Sequence, residues 1–251
     1  MDLFSLLPLL VLVFLVAVLY SSVGHGGASG YLAVLTFFAF TPAVMSSTAL
    51  LLNILVAGVG LVSFVRAGHF ALRKALPFII LSIPAAFLGG LATVPDRFYF
   101  LLLAFVLVFT SYRLGFVSTS SDQDGSKHPS TFSASLIGGG IGVVSGIVGV
   151  GGGIFLSPLL ILMNWATTKQ AAALSAFFIV VNSMAGLAGR AARGAIETGD
   201  LLPLAIVAFA GGLVGSHAGA NKFSSVLLRR LLAVVLLIAA IKLIIHFATS
   251  K

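Results

Sequence analysis

Hydrophobic residues run in long blocks whose only interruptions are short polar clusters. Residues 3–65 contain no Asp, Glu, Lys or Arg, and residues 75–95, 129–168, 170–189 and 201–221 are equally bare. A helix crosses the hydrocarbon core of a bilayer with roughly 20 apolar residues. The first block alone is therefore long enough for about three passes. A buried helix in a water-soluble core would carry a charged face, and these blocks have none. The pattern predicts an all-α, polytopic integral membrane protein.

The one sustained polar stretch, VSTSSDQDGSKHPS at 117–130, has no apolar periodicity and reads as an exposed linker. It divides the chain into an N-terminal transmembrane repeat at 1–116 and a C-terminal one at 131–251. The halves share an order of features. SSVGHGGASGYL begins at Ser21 and SGIVGVGGGIFL at Ser145, so that Gly24, Gly26 and Gly27 fall on Gly149, Gly151 and Gly152. Each glycine cluster precedes a short apolar run, then a long helix with one interior asparagine, Asn53 or Asn182. A Gly-polar-apolar entry (Gly68-His69-Phe70, Gly199-Asp200-Leu201), a Gly-containing span and a closing aliphatic helix follow in both. Each half thus reads as a glycine-broken helical element plus three transmembrane helices.

The short runs, at 28–40 and 154–163, are too brief to cross a bilayer comfortably. Short, Gly-interrupted segments at matching positions of two halves are a sequence pointer to a transporter's binding site. The positive-inside rule gives the same nine-to-five split of basic residues for inverted and for parallel repeats. Inversion is favoured because about 38 apolar residues before Thr41 exceed one span. It puts both termini outside and Arg66, Arg73, Lys74, Arg113, Lys127, Lys169, Lys222, Arg229 and Arg230 on the cytoplasmic side.

Composition sharpens this picture. The 251 residues are 59% hydrophobic and 8% charged, with mean hydropathy +1.19. The net charge of +8 and pI near 10.3 come from basic residues scattered one to three at a time between spans, so nucleic acid is not the expected partner. No cysteine is present, which removes disulfides and thiolate chemistry. The first residues carry Asp2 and no Lys or Arg, the wrong charge for a signal peptide, so the segment reads as a retained helix.

Candidate chemistry centres on the glycine clusters. Unpaired backbone groups inside a membrane are tolerated only where the break is buried or lines a cavity. A half-helix starting after each cluster would aim free N–H groups and its positive dipole end at the break, which favours an anion. The proposed substrate-binding set is Ser21, Ser22, Gly24, His25, Gly26, Gly27, Asn53, Gly149, Gly151, Gly152, Gly153 and Asn182. The plainer roles are close helix packing for the glycines, a bond to a neighbouring carbonyl for His25, and helix bridging for the asparagines. Arg190 and Arg193, with Glu197 and Asp200, read as a solvated interfacial cluster, or else an attraction site or gate.

HExxH, GxSxG and Walker motifs are absent, and all six carboxylates lie at predicted ends or loops. No enzyme, cofactor or metal is expected; a histidine-based membrane enzyme using His25, His69 or His217 lacks a paired nucleophile. Proton coupling would fall to His25, and otherwise the membrane potential and the anion's own gradient would drive flux.

The order GHGGASGYL, Thr-Pro, a Ser-rich helix start with Asn53, GVGGGIFLSPLL, Asn182 and Gly-Asp-Leu resembles the TauE/SafE sulfite exporter family over nearly the whole chain. His25-Gly26-Gly27-Ala28 departs from the longer glycine run usual there. The resemblance implies an exporter or permease for sulfite, sulfoacetate or related organosulfur and carboxylate anions in a bacterial inner membrane. It also implies an anion site at the two glycine breaks, with Ser21, His25, Asn53 and Asn182 as polar contacts. An anion channel and a non-transporting assembly subunit are the rival readings. The oligomeric state is left open, a homodimer included.

Overall fold

The computed structural model describes residues 3–22, 24–116, 127, 129–198, 201–221 and 226–249. Most of the 117–130 linker, together with Asp2, Gly199, Asp200 and Lys222, lies outside the described residues. The chain is helical throughout the described part: α1 Leu3–Ser21, α2 Ala28–Phe37, α3 Pro42–Arg66, α4 Leu72–Leu91, α5 Asp96–Phe116, α6 Thr131–Val148, α7 Gly153–Leu162, α8 Thr168–Ala192, α9 Leu201–Asn221 and α10 Val226–Thr249. Over the described residues, four of these, α3, α4, α6 and α8, are long and apolar enough to cross a membrane.

The outside of the bundle is oily. On α5, Phe98, Leu101, Phe105, Val108 and Tyr112 recur every three or four residues and are all exposed, Phe98 by 65%. Leu202 and Ile206 on α9 and Ile241, Ile244 and Ile245 on α10 continue this surface. A water-soluble monomer rarely presents so large an apolar surface, and lipid is the solvent that tolerates it. The two described carboxylates, Asp96 and Glu197, are exposed.

The expected broken elements are present. α2 and α7 have 10 residues each, about 15 Å at the helical rise, half the thickness of a hydrocarbon core. Each joins a 25-residue helix through a tight turn capped by a threonine: Thr41 accepts from Val44 N–H at 3.4 Å, and Thr167 from Gln170 N–H at 3.3 Å. Thr167 and Gln170 form a reciprocal capping box. Thr167→Ala is therefore expected to cost about 1 kcal/mol of stability, measurable by thermal unfolding in detergent.

Nine described residues have positive φ, and eight of them pair between the halves. Gly24 with Gly149, Gly27 with Gly152 and Ala39 with Asn164 are each 125 residues apart, and Gly68 with Gly194 is 126 apart. Packing partners follow the same correspondence. α4 packs on α6 and α8, while α9 packs on α1 and α3; α3 crosses α8 and α5 lies along α10.

Backbone-to-backbone approach fixes these crossings. Gly138, Gly142 and Gly146 put one face of α6 against the α4 carbonyls of Phe78, Ser82 and Ala86. A Cβ at Gly142 would lie 2.5 Å from Ser82 O. On the other side, Gly211 and Gly215 of α9 rest on Phe14 O and Val18 O of α1. Small residues spaced four apart let membrane helices interlock where no hydrophobic force drives them together.

Candidate site at the paired helix breaks

Both interruptions are buried, from Gly24 to Gly27 in the first and from Gly149 to Gly152 in the second. In the first, α1 ends at Ser21 and α2 starts after Gly27, which holds φ 97° as its N-cap. In the second, α6 ends at Val148 with Gly149, φ 89°, as its C-cap, and Gly152 with φ 80° is the N-cap of α7. A glycine N-cap has no side chain to offer the first turn. For α2 that service comes from α3: Ala28 N–H donates to Asn53 Oδ1 at 3.1 Å. The same amide donates through Nδ2 to Val150 O at 3.1 Å. Asn53 is wholly buried and ties the first break to the second.

Gly26 and Gly151 face this amide from either side. A Cβ on Gly26 would strike Asn53 Oδ1 and come within 3.2 Å of Ile179 Cγ2. One on Gly151 would lie 2.7 Å from Asn53 Nδ2 and 2.9 Å from Ile179 Cγ2. Ile179 stands 126 residues after Asn53, so the two breaks meet across a pair of corresponding positions, one polar and one apolar.

Five carbonyls at the second interruption accept from side chains of other helices. Arg190 of α8 donates to Gly146 O at 3.1 Å and to Ile147 O at 2.7 Å. Tyr99 of α5 donates to Val148 O at 3.3 Å, Asn53 to Val150 O, and Arg113 of α5 to Ile154 O at 3.3 Å. By contrast, the backbone N–H groups of Gly151 and Gly152 have no acceptor among the described residues. Ser183 Oγ is buried without a partner among the described residues, 3.0 Å from the Cβ position of Gly151. Two buried guanidiniums and unspent amide donors make this region electropositive.

The other polar side chains singled out from the sequence are placed as follows. Ser21 donates to Gly212 O of α9 at 2.7 Å and Ser22 to Leu19 O at 2.7 Å. His25 is 7% exposed, and its Nε2 lies 3.3 Å from Arg113 Nη1. Asn182 accepts from Ser82 Oγ and donates to Phe178 O at 2.8 Å, so it joins α8 to α4. Asn53 and Asn182 are therefore not counterparts: Asn182 corresponds to Val56.

Two arginines depart from the sequence reading. Arg113, expected at the cytoplasmic edge, is 8% exposed and reaches inward. Arg190, read as part of a solvated cluster, is 3% exposed, and its Nε has no partner among the described residues. Both sit near helix ends, where a basic residue in sequence looks like an interfacial anchor. An ionisable group held at membrane depth is costly and marks function by default.

An oily exterior, helices of bilayer length and two buried interruptions lined by cations define a multi-pass helical membrane protein. Residues 9–243 match the family described as sulfite exporter TauE/SafE. The chain is also 36% identical over 236 residues to the probable membrane transporter protein y4hK of Sinorhizobium fredii (strain NBRC 101917 / NGR234), covering 92% of this chain and 95% of that protein. No solved structure matches the chain. The protein belongs to the TauE/SafE sulfite exporter family, a family of membrane transporters.

Proposed function

We propose that the protein is a secondary transporter of small oxyanions, sulfite and organic sulfonates or carboxylates among them, in a bacterial inner membrane. The anion binds at the glycine breaks near the midplane, and the two halves, as inverted repeats, rearrange to expose it alternately to either side. The membrane potential and the anion's own gradient drive the flux. One observation carries the reading: two buried arginines, Arg113 and Arg190, donate to carbonyls at the second break, and Gly151 and Gly152 keep N–H groups that no described residue accepts. A site built this way complements negative charge. The matched backbone turns of the two halves and their exchanged packing support a pseudo-two-fold arrangement.

The test is uptake of radiolabelled sulfite into proteoliposomes containing the purified protein. Saturable uptake that shows counterflow is expected. Flux that rises linearly with concentration and shows no counterflow would replace the transporter with a channel, and no anion flux at all would end the reading.

A further inference from the structure

We propose that Arg113, together with Ser157 and His25, is the group that recognises the oxyanion head of the substrate; this rests on the anion-transport reading above. Arg113 lies in the last turn of α5, yet its guanidinium crosses to the start of α7. Nη2 donates to Ser157 Oγ at 2.6 Å, and Nη1 lies 3.3 Å from both Ile154 O and His25 Nε2. One side chain thus touches the first break, through His25, and the first turn after the second. Asn53 and Ile179 also reach both, but Asn53 is an uncharged amide and Ile179 is apolar.

The chemistry of the cluster fits a head group with two or three oxygens. A guanidinium presents planar paired N–H groups that match two oxygens of a sulfonate, sulfite or carboxylate. The two contacts of Nη1 are at the long end of hydrogen bonding, where an anionic oxygen at about 2.7–2.9 Å binds better. Ser157 accepts from Arg113 and so keeps its own proton to donate to a third oxygen. An arginine only donates, so His25 faces it with an unprotonated Nε2 and holds the fork in place until substrate arrives.

Among the described residues, the second half has no equivalent cluster. Val150 occupies the position 125 residues after His25, and Lys242 of α10 donates to Thr36 O at the far end of α2, at 3.0 Å. The arrangement therefore recognises one anion per chain.

The test compares methanesulfonate with methanesulfonamide, its uncharged near-isostere, by titration calorimetry on the purified full-length protein, with sulfite as a third probe. Wild type is expected to bind sulfite and methanesulfonate and to reject the sulfonamide. Arg113→Gln should lose at least about tenfold in sulfonate affinity and bring the two isosteres level. Arg113→Lys should restore part of the discrimination, and Ser157→Ala should weaken sulfonate binding several-fold while keeping preference for charge. If Arg113→Gln does not fold, the last two variants decide. Wild-type binding with unchanged affinity and discrimination in the arginine variants, or in both Arg113→Lys and Ser157→Ala, would overturn the assignment and leave the anion reading standing. Failure of the wild type to bind sulfite or methanesulfonate would overturn the reading beneath it.

Discussion

Asn53→Ala is expected to lower stability by about 2–4 kcal/mol and to abolish transport. The side chain serves two backbone groups at once, Ala28 N–H and Val150 C=O, in a wholly buried setting. Removing it strands both, and each buried, unsatisfied group costs about 1–3 kcal/mol. Bilayer hydrogen bonds measured one at a time are weaker, near 0.6–2 kcal/mol, and two of them set the upper end of the range. Asn53→Asp does not rescue: it still accepts from Ala28 but turns a second acceptor towards Val150 O. Thermal unfolding in detergent and sulfite uptake are the measurements. A variant within about 0.5 kcal/mol of wild type would show that the bridge between the breaks contributes nothing to the fold.

Gly146→Leu is the second large effect. A Cβ there would strike Ala86 O and lie 2.8 Å from Gly90 N, both backbone atoms of α4 that cannot rotate aside. Overpacking a tight contact costs about 1–3 kcal/mol or more, and the upper end applies when helix must move against helix. Gly140, on the same helix, has nothing within 4 Å of its Cβ position. Gly140→Leu is expected to be neutral or to gain up to about 1 kcal/mol from helix propensity. The yield of folded protein in membranes and the unfolding midpoint separate the two. Equal behaviour of the pair would exclude close helix contact as the role of the α6 glycine face.

The broken helices were legible in the sequence because clustered glycine within a charge-free run has few other readings. GHGG and GVGGG located the interruptions, and the short runs after them are α2 and α7. Gly138, Gly142 and Gly146 gave no such signal, because a glycine that admits a neighbouring backbone looks in sequence like any other small residue. Asn53 was legible as a buried polar group, but whether its amide meets substrate or backbone depends on a partner 97 residues away at Val150. Its pairing with Asn182 followed the order of features, and the three-residue difference in register emerges only when the helices are set cap to cap. Arg113 and Arg190 were misread for the converse reason. A basic residue near a helix end belongs to the interface unless the helix beyond it is covered, and that cover comes from remote segments.

Matched backbone turns in two halves need not mean equal states. The seam where the halves touch carries an amide from one side and a branched alkyl group from the other, Asn53 against Ile179. A rocking motion that swapped the roles of the halves would bring Ile179 to the place of the bridging amide and forfeit both of its bonds. Under the proposed alternating access the exchanged state would be the poorer one by that amount, and a molecule without cargo would have a preferred side on which to wait.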